Sequence, residues 1–267
     1  MLAFANAKIN LGLQVTAKRN DGYHDLETVF YPVKINDVIE ISDAEETSFV
    51  SAGLEIPGSS LDNLCLKAYR ALQVDFNLPP QRITLLKNIP IGAGLGGGSS
   101  DAAFLVKLLN DKFGLGLSSL EMEDYVRPLG ADCAFFIENK PVFAKGKGDE
   151  FSPVAVDLSL YEIVVVKPDV HVSTADAYQG IIPSNPPNSV KDSIHLPVKD
   201  WKGCVFNNFE KTVFDKYPQI GLLKEQLYHN GAIFALMSGS GSSVFGIFDE
   251  EVRLEGLSER CKVFYGC

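Results

Sequence analysis

The chain has no apolar segment that approaches the roughly 18 residues of a membrane-spanning helix, so no transmembrane segment is expected. It has no Lys/Arg-rich run; Lys18-Arg19 and Lys145-Gly-Lys147 come nearest. With 24 basic against 34 acidic residues and a net charge of −10, it lacks the basic surface of a nucleic-acid binder. Neither nucleic acid nor membrane is therefore expected as a partner. No Cys-x-x-Cys pair occurs. The five cysteines, Cys65, Cys133, Cys204, Cys261 and Cys267, are odd in number and irregularly spaced. That pattern speaks against a disulfide framework or a zinc site and fits a reduced, cytoplasmic compartment. Cys133 reads as a small buried thiol rather than a nucleophile. The opening Met-Leu-Ala-Phe-Ala-Asn-Ala-Lys has no basic stretch leading into an apolar run and no Arg/Ser richness, so neither a signal peptide nor a transit peptide is expected.

The 267 residues suffice for one large or two smaller domains, and 46% hydrophobic with 22% charged residues is ordinary for a globular chain. Residues 7–15 alternate, with Ile9, Leu11, Leu13 and Val15 on one face and Lys8, Asn10, Gly12 and Gln14 on the other, which predicts a strand. Asn20-Asp-Gly22 is a turn signal. Strands are expected over 26–33, 37–41 and 82–86, and a helix over 61–77. A helix over 99–109 opens on Ser99, Ser100 and Asp101, residue types favoured at a helix start. Another helix is expected over 118–128 and a hairpin over 141–151. Tyr161–Lys167 is a continuous apolar run, expected as a strand buried on both faces. Residues 183–190 read as a surface loop. Helices are expected over 205–216 and 218–229. Strands at 232–237 and 244–248 are joined by Ser238-Gly-Ser-Gly-Ser-Ser243, and a helix over 251–260 and a strand over 262–265 close the chain. The sum is an α+β protein with a boundary near residues 150–155.

Chemistry concentrates at Pro90-Ile-Gly-Ala-Gly-Leu-Gly-Gly-Gly-Ser-Ser100. Five of the seven residues 92–98 are glycine. Glycine admits backbone conformations barred to other residues and lets a ligand approach closely. A helix start just beyond offers free N–H groups and a partial positive charge, and together they make an anion site. So many glycines in a mere turn would be an entropic burden without return. The pattern is not Gly-x4-Gly-Lys-Ser/Thr, so it is not a Walker loop. It contains a near Gly-x-Gly-x-x-Gly match, but Pro90 separates the loop from its strand and the acidic residues Glu121 and Glu123 come late, which disfavours a dinucleotide fold.

The run Pro-x-Gly-x-Gly-Leu-Gly-Gly-Gly-Ser-Ser-Asp-Ala-Ala resembles the ATP loop of the galactokinase/homoserine kinase/mevalonate kinase/phosphomevalonate kinase superfamily. Further matches are Ala7-Lys-Ile-Asn-Leu-Gly-Leu13 with Arg19-Asn-Asp-Gly-Tyr-His24, then Leu129-Gly-Ala-Asp-Cys-Ala-Phe-Phe136, then Met237-Ser-Gly-Ser-Gly-Ser-Ser-Val-Phe245. They fall in family order, and the resemblance is weakest between residues 170 and 230. The Lys-Ile-Asn and Asp-Gly-Tyr-His pair is similar to the branch that acts on a cytidyl-linked methylerythritol.

The resemblance implies a two-domain small-molecule kinase fold, with an N-terminal domain like domain 2 of ribosomal protein S5 and a ferredoxin-like C-terminal domain. ATP binding and catalysis are expected in 1–152 and substrate binding in 153–267, with the active site between them. It implies that ATP, with Mg²⁺, phosphorylates the tertiary 2-hydroxyl of 4-diphosphocytidyl-2-C-methylerythritol in the non-mevalonate route to isoprenoids. Asp132 would take the hydroxyl proton and Lys8 would steady developing charge. ATP would lie against Pro90, Ile91, Gly92, Ala93, Gly94, Leu95, Gly96, Gly97, Gly98, Ser99 and Ser100, with Asn63 near the adenine. Tyr23 would stack on the cytosine and His24 bond its edge; Asn10 would meet the substrate's hydroxyls or phosphate, and Tyr178 would supply a second stacking face.

Other readings of single residues stand beside these. Asp132 fits an N-cap, Lys8 an exposed edge-strand charge, Tyr23 a hairpin tip, Asn63 a helix cap and 238–243 a plain hairpin turn. A sister kinase with homoserine or mevalonate as acceptor, and a silent sugar-binding relative, are the rival functions. The partner expected is a small molecule, and the chain is expected as a monomer or homodimer.

Overall fold

The alternation of residues 7–15 extends in both directions. Strand β1 runs from Leu2 to Lys18 in the computed structural model, which describes residues 1–184, 189–257 and 259–267. Both faces of its middle are closed. Ile9, Leu11 and Val15 are fully buried, and Lys8, Asn10 and Gln14 on the other face are buried too. An exposed edge-strand charge is therefore not what Lys8 is, and each polar group on that face needs a partner inside the protein.

Strand β2 runs unbroken from His24 to Asp43, a correction to the two separate strands expected there. Lys34-Ile35-Asn36 holds no glycine or proline to break the strand, and the alternation of buried Val33, Ile35, Asp37, Ile39 and Ile41 passes straight through it. The chain packs as two compact units. The first comprises Met1–Ala7, Ile35–Ile91 and Gly96–Lys140; the second comprises Lys8–Lys34, Gly92–Leu95 and Pro141–Cys267.

In the first unit, β3 (Ser48–Gly53) runs parallel to β4 (Gln81–Lys87). Strand β4 is antiparallel to the second half of β2, with Ile39 opposite Leu85 and Ile41 opposite Ile83. These four side chains are fully buried, each stabilising the fold by about 1.5–3 kcal/mol. Helix α1 (Leu64–Phe76) buries Ala68, Tyr69 and Leu72 and packs along α2 (Gly97–Phe113), which buries Ala102, Leu105, Val106 and Leu109. Helix α2 starts ahead of the expected Ser99. Its N-cap is Gly96, which has no side chain to bond with, so Ser99, Ser100 and Asp101 lie inside the helix rather than capping it. Helix α3 (Ser119–Val126) opens on a capping box between Ser118 and Glu121, and a short α4 (Phe135–Glu138) follows.

In the second unit, β5 (Val142–Lys145) and β6 (Glu150–Pro153) form the expected hairpin, and β5 pairs with residues 28–30 of β2. Strand β7 (Glu162–Pro168) is buried on both faces, as its apolar run requires. Next come α5 (Thr174–Tyr178), α6 (Val190–Ser193), α7 (Phe209–Lys216), α8 (Pro218–His229), β8 (Phe234–Met237), β9 (Val244–Phe248) and β10 (Cys261–Phe264). The sheet order is β10-β7-β9-β8, antiparallel throughout. Helix α8 lies against β8 and β9, closing a core that includes Val164, Val166, Phe209, Leu227 and Met237. The helix expected from 205 begins only at Phe209, because the preceding backbone pairs with β1: Leu13 N–H donates to Phe206 O (2.9 Å) and Asn208 N–H to Leu13 O (2.8 Å). Of the loop expected over 183–190, residues 185–188 lie outside the described residues, and Val190 already starts α6. No helix forms over 251–257 either. Leu254 and Leu257 turn into the core there, and Leu254 N–H donates to Tyr265 Oη (3.1 Å). No helix among the described residues is long and apolar enough to cross a membrane.

Candidate active site

The glycine-rich run leads from β4 into α2, whose first amides have no partner within the helix. In the second unit, Gly94 has φ +77°, and a Cβ there would stand 2.0 Å from the Ser238 carbonyl oxygen; only glycine fits. The Gly94 carbonyl accepts from Ser238 Oγ (2.8 Å). Ala93 O accepts from Ser243 N–H (3.2 Å), and Leu95 O accepts from Lys8 N–H (3.0 Å). Three segments singled out in the sequence, the strand of Lys8, the loop and 238–243, thus meet around residues 93–95. The segment 238–243 is more than a hairpin turn.

Lys8 Nζ donates to Asn10 Oδ1 (2.6 Å) and lies 4.8 Å from the centre of the Phe30 ring. Asn10 Nδ2 donates to Thr28 Oγ1 (2.9 Å), which in turn donates to Gly12 O (2.6 Å). Asn10 N–H donates to Ser238 Oγ (3.2 Å). The amide of Asn10 is therefore fixed in orientation, with its oxygen toward the ammonium. Sequence reading missed Thr28 and Asn207. Asn207 Nδ2 donates to the carbonyls of Met237 and Gly239 (2.8 Å each) and so shapes the 238–243 segment. The adjacent polar pair Asn207-Asn208 was the one available signal.

The Asp21–His24 turn belongs to the same unit. Arg19 bonds Asp21 and, at 2.8 Å, Asp25, while Tyr23 N–H donates to Asp21 Oδ1 (3.1 Å) and holds that carboxyl below its usual range. Tyr23 is 62% exposed, with the Lys147 ammonium 5.1 Å from its ring centre. His24 stacks on Tyr178, centroids 4.8 Å apart and planes 23° apart, and Phe209 packs T-shaped against Tyr178 with centroids 4.7 Å apart. The structure thus joins His24 to Tyr178, from the stretch where the family resemblance is weakest.

In the first unit, Asp132 sits half-buried in the turn before α4. It is not the cap of that helix, since Ala134 holds the cap position and makes no side-chain bond. The Cys133 thiol next to it is pushed up to about 11 by burial, which the hydrogen bond with Ser99 only partly offsets, in keeping with a buried thiol rather than an activated one. That bond sets the Asp132 segment beside the first turn of α2. Asn63 does cap a helix: its Oδ1 accepts from Cys65 N–H (2.8 Å) at the start of α1. Among the described residues no group of three His, Cys, Asp or Glu side chains is placed to hold a metal ion by itself.

Comparison with known proteins gives the family. The model of the GHMP kinases N terminal domain matches residues 63–140, and that of the GHMP kinases C terminal domain matches 199–266. The chain is 56% identical over 258 residues to a 4-diphosphocytidyl-2-C-methyl-D-erythritol kinase of Bacteroides fragilis, covering 95% of this chain and 94% of that one. A crystal structure of 4-(cytidine 5'-diphospho)-2C-methyl-D-erythritol kinase superposes with a TM-score of 0.84 at 30% identity, covering 100% of this chain and 98% of that chain. A mevalonate kinase of Methanococcus jannaschii, at 15% identity and a TM-score of 0.71 over 99% of this chain and 97% of that one, shares the fold. By loop, lysine strand and both halves of the chain, this protein belongs to the GHMP kinases, in the family of the 4-diphosphocytidyl-2-C-methyl-D-erythritol kinases.

Proposed function

We propose that this chain transfers the γ-phosphoryl group of ATP to the 2-hydroxyl of 4-diphosphocytidyl-2-C-methyl-D-erythritol, a step of the non-mevalonate route to isoprenoid precursors. The donor is read from the glycine loop. The acceptor is carried by one observation: the stacked His24–Tyr178 pair beside the Asp21–His24 turn. It packs a hydrogen-bonding imidazole face to face with an aromatic ring, a stack that a pyrimidine base could extend, and each stacked base is worth about 1–3 kcal/mol. The relatives' names point the same way.

In this reading residues 90–100 hold the phosphates through backbone amides, and Asn63 contributes its amide nitrogen near the adenine while its oxygen caps α1. Tyr23 adds a second stacking surface, and Asn10, with its side chain already fixed, meets the methylerythritol end. Asp132 takes the proton of the attacking hydroxyl, and Lys8 neutralises charge that builds up in transfer. Mg²⁺ would arrive with ATP and neutralise phosphate charge. The finer fold labels belong to the proposal as well: an S5-like N-terminal domain, and a ferredoxin-like C-terminal one supported by the antiparallel sheet under α8.

An ADP-release assay with three alcohols tests it. The cytidyl-linked methylerythritol is expected to support turnover, and homoserine and mevalonate are not. Turnover with either of the latter, or none with the first, would overturn the assignment.

A further inference from the structure

Both ends of the phosphate loop meet one buried ion cluster in the first unit. Lys87 closes β4, Asp37 lies on β2 and Asp101 on α2, and all three are at most 4% exposed. Lys87 Nζ donates to Asp37 Oδ2 and, at 2.7 Å, to Asp101 Oδ2. Asp37 Oδ1 accepts from the backbone N–H groups of Asn88 (2.5 Å) and Ile89 (2.8 Å), the last residues before Pro90. On the helix side, a Cβ on Gly97 would stand 2.9 Å from Lys87 Nζ and 2.8 Å from Ile89 Cγ2, so the first turn of α2 sits directly on the cluster.

We propose that Asp37, Lys87 and Asp101 are positioning residues for the phosphate loop: Asp37 holds the incoming strand end, Asp101 the outgoing helix, and Lys87 ties the two together. The proposal rests on the reading of that loop as the ATP site. A glycine-rich segment loses more conformational freedom on ordering than any other, and a site that must order on binding loses affinity. Fixing both ends beforehand removes part of that cost. The cluster does not hold phosphate itself. One lysine between two carboxylates offers no positive charge to an anion, and the carboxylates keep Lys87 firmly protonated despite its burial. Apolar side chains of equal volume would stabilise the fold as well as a buried ion cluster does; what the ions add is a fixed geometry. Asp101 Oδ1 and Ser100 Oγ, buried without hydrogen-bond partners, fit a cluster kept for placement rather than for stability.

Asp101→Leu keeps the volume and cuts the tie, while Asp101→Asn keeps an acceptor for Lys87. Affinity for AMP-PNP with Mg²⁺ is read by calorimetry, and hydrogen exchange of amides 90–98 is read without nucleotide. Asp101→Leu is expected to weaken AMP-PNP about tenfold, the loss that follows when only about a tenth of the loop population is competent. Amides 90–98 should exchange faster while the β7–β9 sheet is unaltered, and Asp101→Asn should return both readouts to near wild type. Lys87→Gln, which takes the positive charge away from both carboxylates, should repeat the Leu result and stands in if that variant does not fold. Wild-type affinity and exchange in the Leu or Gln variant would overturn the proposal. So would faster exchange spread evenly over the chain, the mark of a merely structural role. If the wild type itself fails to bind AMP-PNP, the ATP reading falls, and the exchange arm still decides whether the cluster fixes the loop.

Discussion

Each unit buries a polar cluster around a lysine, and the two are built on different chemistry. In the first, Lys87 is held by carboxylates 50 and 14 residues away in the chain. In the second, Lys8 leans on Asn10, two residues along, and neutral groups relay from there through Thr28 to Gly12 and through Ser238 to Gly94. An ionic cluster fails as a whole, because deleting one member strands a buried charge. A neutral relay loses one hydrogen bond at a time. The first suits a part that must never move; the second suits a part whose donors and acceptors are to be shared with a substrate.

The sharpest way to break the comparison is Lys87→Met. It leaves two carboxylates buried together and is expected to cost about 3–5 kcal/mol, measured by urea unfolding. Neutralising the carboxylates as well, with Asp37→Asn and Asp101→Leu, should recover most of that loss. A single variant that loses under about 1 kcal/mol, no more than an ordinary hydrogen bond is worth, would show that the charges do not depend on one another.

The next effect is a pH dependence confined to the first unit. Burial raises the Asp101 carboxyl from 3.8 to about 7, outweighing the pull of Lys87, with Asp37 on β2 opposing ionisation; Cys65 on α1 also faces it, itself pushed well up by burial. Below about pH 4 the group is protonated in folded and unfolded chains alike. Between there and pH 7 only the folded chain keeps the proton, so this contribution to stability is lost as pH rises. From pH 5 to 7 the wild type should lose about 2 kcal/mol relative to Asp101→Asn, read from paired urea curves. Carboxylates held low, such as Asp43 and Asp176, run the other way but cancel in the difference. Parallel curves for the two proteins would remove Asp101 from the titration.

The same contrast explains what could be read in advance. The neutral cluster is anchored in short motifs: Lys8 and Asn10 are two apart on a strand, the loop is one contiguous run, and Tyr23 and His24 adjoin. Their positions followed from the chain, although Lys8 proved buried where an isolated reading would have left it in water. The ionic cluster was invisible. Asp37 reads as one more strand residue, Lys87 as a strand end and Asp101 as a helix cap, and nothing local announces that they converge. The start of α2 was missed for a related reason, since a glycine cap carries no side chain to recognise. Phe206–Asn208 looked helical because periodicity cannot foresee that Leu13 claims their backbone. The His24–Tyr178 pair lay between, with both rings identifiable and only folding able to bring them together.

The smallest expected effect tests the relay itself. Thr28 is fully buried, and Thr28→Val keeps its shape while removing the hydroxyl that Asn10 donates to and that donates to Gly12 O. Two buried groups lose a partner, which is expected to cost about 1–3 kcal/mol, at or below the low end for Lys87→Met. Asn10 stays tied to Ser238 through its backbone N–H, so its strand should not shift. Its side chain would gain freedom, and that freedom should raise KM for the alcohol while leaving affinity for AMP-PNP near wild type. The loop's ends are fixed by the other cluster and should not sense the change. If Thr28→Val weakened AMP-PNP as strongly as Asp101→Leu, the neutral relay would be as much a fastening of the loop as the ionic cluster, and the distinction between the two would collapse.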